Sequence, residues 1–277
     1  MSAFAEMMLN VRVTGEGTVV RLLTLNALFK GDVRLRLRAL AELLEQGGHD
    51  VVCLQEVMYR ANVRLLQRLV PTLPHRVSSG AVLLEGGLVI LSRWPVTRSR
   101  FVRYPMLAPV RTELLMRKGA QVAVVRTPGG ELAVVNTHLS ANRDDDWSPG
   151  NRYTRIEQAE LRHLAGVLGG VDPALPVVAT GDFNVPRDSP VLAEFVAAAG
   201  LRDLMAGDTG PTYRPTPQFP APPAFDHVLV RPAPGRELDG RARLVFQDEV
   251  PLADGRRSYL SDHFGIATDL VLPVGGR

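Results

Sequence analysis

The sequence predicts an α/β chain of the α+β type, built on mixed β-sheets, and three observations carry that expectation. Apolar runs that end in polar residues alternate with helical periods along most of the 277 residues. Two neighbouring runs, 113–126 and 131–139, are joined by Thr127-Pro128-Gly129-Gly130, which is turn chemistry for a β-hairpin. Interleaved helices favour parallel neighbours and a hairpin forces an antiparallel pair, so the sheets must contain both.

Taken in order, residues 1–17 read as an irregular leader, and 18–277 as one catalytic domain, because candidate site residues are spread from Asn26 to His263. Residues 19–28 form a buried strand. The helix over 34–45 follows from Leu37, Leu40, Leu43 and Leu44, and Gly47-Gly48 stops it. A second buried strand over 50–55 ends at Glu56. A helix over 62–70 stops before Pro71, and a strand over 88–91 follows. After the hairpin comes the polar loop 142–150. The helix over 152–168 presents Ile156, Ala159, Leu161, Leu164 and Leu168 on one face. The run 176–180 leads into Gly181-Asp182. Ser189 is placed to cap a helix reaching Ala199, with Pro190 at its first position. Five prolines over 212–223 exclude regular structure there. Strands over 225–230 and 265–272 close the chain.

Composition excludes several classes. A hydrophobic fraction of 45% supports a large core and argues against disorder. A single cysteine, Cys53, rules out an internal disulfide, and its apolar run makes it a small buried hydrophobe. No run of about twenty apolar residues exists, so no transmembrane helix is expected. Glu6, Asn10 and Arg12 interrupt the short apolar stretch at the start, so no signal peptide is read and a cytoplasmic monomer is expected. The formal charge is only +3. Lys30 and Lys118 are the only lysines; an arginine preference this uniform reads as compositional bias rather than phosphate recognition.

Chemistry concentrates at strand ends. Five clusters stand in order: Thr24-Leu25-Asn26, Leu54-Gln55-Glu56-Val57, Asn136-Thr137-His138-Leu139, Gly181-Asp182-Phe183-Asn184 and Ser261-Asp262-His263. Hard oxygen donors with two histidines are what a Mg²⁺-assisted attack on a phosphate ester requires. Glu56 follows an apolar strand and is the first candidate for a metal ligand. Asp182 and Asn184, two apart in an extended segment, share a face; the acid can activate water and the amide can donate to a phosphate. His263 is the candidate base or proton relay, since imidazole titrates near neutrality.

In this order the clusters resemble the endonuclease/exonuclease/phosphatase superfamily of metal-dependent phosphohydrolases, over roughly residues 22–265. The resemblance implies a four-layer sandwich: two mixed sheets face to face, with helices on both outer sides. It implies Mg²⁺, or Mn²⁺, at Glu56 with Asn26 beside it and Asp262 assisting. It places His138 on the phosphate and pairs Asp226 with His263. Ala224-Phe225 precede Asp226, where relatives usually carry an aliphatic residue after a basic one. The layout from Lys118-Gly119-Ala120 through the helix carrying Arg155, Gln158 and Leu161 resembles the neutral sphingomyelinases, with Lys118 and Arg155 as candidates for the substrate phosphate. The substrate is then a phosphodiester of lipid or small-molecule type. A DNA or RNA nuclease on the same scaffold, and a non-catalytic binding protein with a relic site, are the alternatives.

Overall fold

The computed structural model describes residues 13–14, 17–106 and 116–272. The buried strands show directly how an apolar run becomes a central strand. Along β3 (Val51–Gln55) every residue is buried. Val52 and Leu54 face one layer of core, and Val51 and Cys53 face another. β2 (Gly17–Asn26) divides in the same way, with Leu23 and Leu25 on one side and Val20 and Leu22 on the other. A period of two, apolar on both faces, means that both faces are covered. Truncating one such residue, Leu22 for instance, costs about 3–5 kcal/mol.

The first sheet has the order β12 (Asp239–Val245), β15 (Gly265–Leu272), β2, β3, β5 (Val89–Ser92), β4 (His75–Ser78), with β1 (Val13–Thr14) paired on β2. The second has the order β10 (Arg202–Asp203), β11 (Asp226–Arg231), β9 (Val177–Asp182), β8 (Gly130–His138), β7 (Gly119–Thr127), β6 (Val96–Arg103). A small hairpin pairs β13 (Val250–Pro251) with β14 (Arg257–Ser258). Pairs β2–β3 and β8–β9 are parallel, and the remaining pairs are antiparallel, so both sheets are mixed.

Helices α1 (Val33–Gly47) and α2 (Arg60–Leu69) pack on the outer face of the first sheet. Helices α3 (Arg152–Gly169) and α4 (Pro190–Ala198) pack on the outer face of the second. The third layer of core lies between the sheets. Helix ends follow sequence chemistry. Gly48 leaves α1 at φ 64°, Asn151 accepts the Tyr153 and Thr154 amides ahead of α3, and Ser189 caps α4 before Pro190. The result is the four-layer α/β sandwich expected. Among the described residues no helix is long and apolar enough to cross a membrane.

Some boundaries differ from the sequence expectation. Within the expected leader, Val13 and Thr14 pair with Gly17 and Thr18; residues 1–12 lie outside the described residues. β2 stops at Asn26, because Leu28 takes a left-handed φ of 52°. The hairpin strand expected from Glu113 begins at Gly119, and 107–115 are outside the described residues. Strands β4, β6 and β12 were missed. They lie at sheet edges, and one of their faces is solvated and polar, so no apolar run marks them.

Candidate active site

The two parallel strand pairs point their C-terminal ends the same way, and the five clusters sit there. Asn26 and Glu56 end β2 and β3; His138 and Asp182 end β8 and β9. Asp226 opens β11 directly opposite Asp182, and His263 precedes β15, which runs antiparallel to β2. A buried polar pair fixes how the sheets meet. Gln55 Nε2 donates to Asn136 Oδ1 at 2.7 Å, and Asn136 Nδ2 donates to the Leu54 and Val89 carbonyls. Glu56 follows one member, and His138 lies two residues beyond the other.

Asp182 is the hub. Its Oδ2 accepts from Asn26 Nδ2 at 2.9 Å and lies 3.4 Å from His138 Nε2 and 3.6 Å from His263 Nε2. Its Oδ1 accepts from the Asn184 backbone N–H at 3.0 Å. Asn26 Nδ2 also reaches Glu56 Oε1 at 3.3 Å, and Glu56 Oε2 accepts the Phe29 N–H. His263 Nδ1–H donates to Asp226 Oδ2 at 2.8 Å, and Thr212 Oγ1 donates to the same oxygen at 2.7 Å. Lys118 Nζ donates to His138 Nε2 at 2.9 Å and to the Leu139 carbonyl. Asp262 joins through Tyr213, whose hydroxyl bonds to it and whose ring stands edge-on to His263 at 5.0 Å.

Charge is set by burial against these neighbours. Burial lifts the Asp182 carboxyl to about 6, with His263 opposing and Asp226 adding to the lift. For His263 burial opposes charge, but Asp226 and then Asp182 outweigh it and carry the ring to about 10. His138 goes the other way: burial, then the Lys118 and His263 charges, hold it well below the usual imidazole range. It is therefore neutral, an acceptor for Lys118. At neutral pH the centre holds an imidazolium between two carboxylates.

Strain is also concentrated here. Six described non-glycine residues have positive φ, and five of them border this end: Leu28, Glu56, Arg117, Asp145 and Asn184. Such clustering of strained backbone is a mark of functional regions. Gly87, at φ 62°, lets the chain pass Glu56; a Cβ there would come within 3.1 Å of its Cα.

Asp182 and Asn184 do not share an extended face as expected. Asn184 turns back at φ 53° so that its amide can bond Asp182, and its own Nδ2 is spent on the Leu139 carbonyl. Arg155 is exposed on α3, with no side-chain bond to the cluster. Lys118 is buried within the cluster. Asn26, Glu56, His138, Asp182, Asn184, Asp226, Asp262 and His263 are brought together.

The donor set can be tested against a divalent cation. His263 and Lys118 are the cations nearest Asp182, His263 also holds Asp226, Arg36 acts at longer range on Glu56 and Asp262, and Glu56 forms no ion pair among the described residues. Asp226 Oδ1 is buried with no donor. Hard oxygen donors of this kind, with Glu56 in no ion pair, fit Mg²⁺ or Mn²⁺. Asp182, Asp226 and His263 also lie within 4.8 Å of one another, a spacing that can hold an ion. Nδ1 of His263 and Oδ2 of Asp226 are already bonded to each other, while Glu56 accepts only from the Asn26 amide and the Phe29 N–H and carries no ion pair among the described residues.

The model of the Endonuclease/Exonuclease/phosphatase family matches residues 23–263. The chain belongs to this family. Its members are hydrolases of phosphodiester bonds, typically dependent on a divalent metal. Among solved structures, SmcL superposes with a TM-score of 0.69 at 14% identity, covering 91% of this chain and 98% of that one. D. rerio TDP2 complexed with single strand DNA product gives 0.69 at 19%, covering 91% and 98%. Sphingomyelinase C from Streptomyces griseocarneus gives 0.65 at 19%, covering 91% and 99%. At these identities the likeness establishes the fold. No curated protein matches the chain.

Three members of the centre escaped sequence reading. Thr212 and Tyr213 lie in the proline-rich loop, where no period marks an inward side chain. Arg36 looked like one more charge on α1. It is buried, and its guanidinium donates to the Ala27, Leu28, Lys30 and Leu260 carbonyls, tying the loop after Asn26 to the segment before Ser261. Beside His263 opens a groove of about 230 Å³ walled by Trp147, Tyr213, Phe219 and Phe225.

Proposed function

We infer that the chain is a divalent-metal-dependent phosphodiesterase acting by in-line attack of an activated water. The observation that supports this best is the Asp182–His263–Asp226 array, set beside a Glu56–Asn26 donor pair. Glu56 and Asn26, with Asp262 assisting, would hold a Mg²⁺, which when bound would neutralise phosphate charge and stabilise the leaving oxygen. The protein's own groups do the rest. Asp182, titrating near 6, holds a water and takes its proton. Asn26 fixes the carboxylate for that task. The His263 imidazolium, held by Asp226, faces the phosphate through Nε2 and balances the charge that develops there. This moves the base role expected for His263 to Asp182, because a ring already protonated cannot accept a proton. Lys118 adds positive charge behind His138.

The aromatic wall of Trp147, Tyr213, Phe219 and Phe225 gives the alcohol of the ester an apolar surface. That favours a diester over inorganic or sugar monoesters, and it accommodates the lipid type of substrate expected from the sequence layout; one structural neighbour is a sphingomyelinase C. A nucleic-acid strand is the second reading, favoured by a groove lined by Arg34, Arg64 and Arg68, which form no ion pair among the described residues; another neighbour holds single strand DNA product.

The test is hydrolysis of bis(p-nitrophenyl) phosphate by metal-stripped protein, with Mg²⁺, Mn²⁺ or chelator added, followed by sphingomyelin, phosphatidylcholine and oligonucleotides under the best condition. Activity that needs the metal and prefers diesters is expected. Equal activity in chelator rules out the metal-dependent reading.

A further inference from the structure

Helices α1 and α2 leave between them an open groove of about 550 Å³, lined by Arg34, Ala61, Arg64, Gln67 and Arg68. Three guanidinium groups and one amide face it, and no carboxylate does. Arg34, Arg64 and Arg68 are exposed and form no ion pair among the described residues. Other arginines are neutralised: Arg21 and Arg93 pair with Asp50, Arg98 with Glu131, Arg202 with Asp239 and Arg256 with Asp254.

The spacing is regular. Arg60, Arg64 and Arg68 recur every four residues and so form one stripe, with steps of about 6 Å along α2. That step is comparable to the separation of successive phosphates on an extended strand. Arg34 faces the stripe from the start of α1. Neither helix has an acid in its first turn, where the macrodipole favours one; Arg34 and Arg60 instead add positive charge at positive helix ends. The helices follow the strands that end at Asn26 and Glu56, so the N-terminal ends of both lie toward the end of the first sheet that carries the cleft. Tyr59, 52% exposed, stands at that end as the residue before α2.

We propose that the α1–α2 groove is a docking track for a single nucleic-acid strand leading to the cleft, with Arg34, Arg64 and Arg68 on its phosphates and Tyr59 offering a ring to a base. A recessed positive groove with an aromatic side chain at its mouth is how strands are held without sequence preference. A bilayer is flat and cannot follow charges set between two helices. The proposal extends the phosphodiesterase reading to a substrate class, yet it is tested by binding alone.

The full chain is titrated, in chelator, against a fluorescein-labelled oligothymidylate by anisotropy between about 50 and 200 mM salt. Each phosphate contact contributes about −0.7 to the log–log salt slope on a single strand, so three contacts weaken binding about twentyfold over that range. The triple variant Arg34→Gln/Arg64→Gln/Arg68→Gln should bind at least about tenfold more weakly at low salt, with a slope shallower by about 2. Tyr59→Ala should weaken binding with the slope unchanged. The same triple variant should keep its circular dichroism, thermal midpoint and hydrolysis of bis(p-nitrophenyl) phosphate. If it does not fold, the single Arg64→Glu change makes the same comparison. Absence of wild-type binding, or identical affinity and slope in the variants, overturns the proposal. So does binding to phosphatidylglycerol vesicles without binding to the oligonucleotide. Arginine-dependent binding in a protein that hydrolyses no diester would leave the track standing and remove the phosphodiesterase reading.

Discussion

Replacing Asp226 by Asn keeps the shape of the side chain and removes its charge, which isolates what the Asp226–His263 pair contributes. Asp226 Oδ2 accepts from both His263 Nδ1 and Thr212 Oγ1, so the amide oxygen can keep these bonds. Its charge is a different matter. His263 stands at about 10 against an ordinary 6.5, against the opposition of burial, through Asp226 first and Asp182 second. At 1.36 kcal/mol per pKa unit the net lift is worth about 5 kcal/mol. Asp226 is the first of the charges that raise it, so its loss withdraws the larger share of that support. Groups that handle protons and charge at the reacting centre typically contribute about 10² to 10⁴ in rate, so a fall of about 10²-fold is expected. Steady-state kinetics on bis(p-nitrophenyl) phosphate at saturating Mg²⁺ should show kcat reduced on that order and KM changed by less than about threefold. His263→Ala should lose at least as much, and the double variant little more than the worse single, since the two groups act as one unit. A kcat loss below about fivefold, or losses that multiply in the double variant, would refute the coupling and leave Asp226 a structural residue at the start of β11.

Three further outcomes follow from the same geometry. Arg36→Met strands four carbonyls around Asn26 and Ser261 and should cost about 3 kcal/mol or more in urea unfolding, with a fall in kcat/KM; Arg36→Lys should not restore it, since three donors on one nitrogen cannot span four carbonyls. Gly181→Ala places a Cβ 2.0 Å from the Thr137 carbonyl at φ 138°, so a thermal midpoint equal to wild type would contradict the described β8–β9 register. His227 is held neutral, at about 3, by burial and then by the Arg187 charge. The unfolded chain takes up that proton near 6.5, so this contribution to stability is full above pH 6.5 and falls by about 1.4 kcal/mol per unit as pH drops toward 3. Urea unfolding from pH 7 to pH 5 should show that slope in wild type and a flatter one in His227→Gln; equal slopes place the acid sensitivity elsewhere.

Much of this architecture is legible in the chain, for physical reasons that also explain what is not. Central strands such as β3 and β9 are apolar on both faces, and a polar residue at their tips stands out against that run; Glu56 and Asp182 are found that way. The caps of α3 and α4 are legible because Asn151 and Ser189-Pro190 are local chemistry. Edge strands β6 and β12 carry alternating arginines on a solvated face, and such a pattern does not separate a strand from a loop. The turn at Asn184 depends on a hydrogen bond back to Asp182, so the sequence alone reads it as extended. Thr212, Tyr213 and Arg36 matter through partners far away in the chain. An arginine at a helix position that is buried by four carbonyls looks, in sequence, like any other arginine. The same holds for the α1–α2 groove, where Arg34 and Arg64 meet only after folding.

The assignment of Glu56 and Asn26 as the metal end is tested most directly by Mn²⁺ binding, followed by electron paramagnetic resonance in the absence of substrate. Wild-type protein should take up Mn²⁺ with an affinity that Mg²⁺ competes away. Glu56→Gln, which keeps the side chain's size and removes its charge, should lose that binding while keeping its thermal midpoint. Undiminished Mn²⁺ binding by Glu56→Gln, or its loss in Asp226→Asn instead, would contradict the assignment and move the ion to the Asp182–Asp226–His263 side of the cleft.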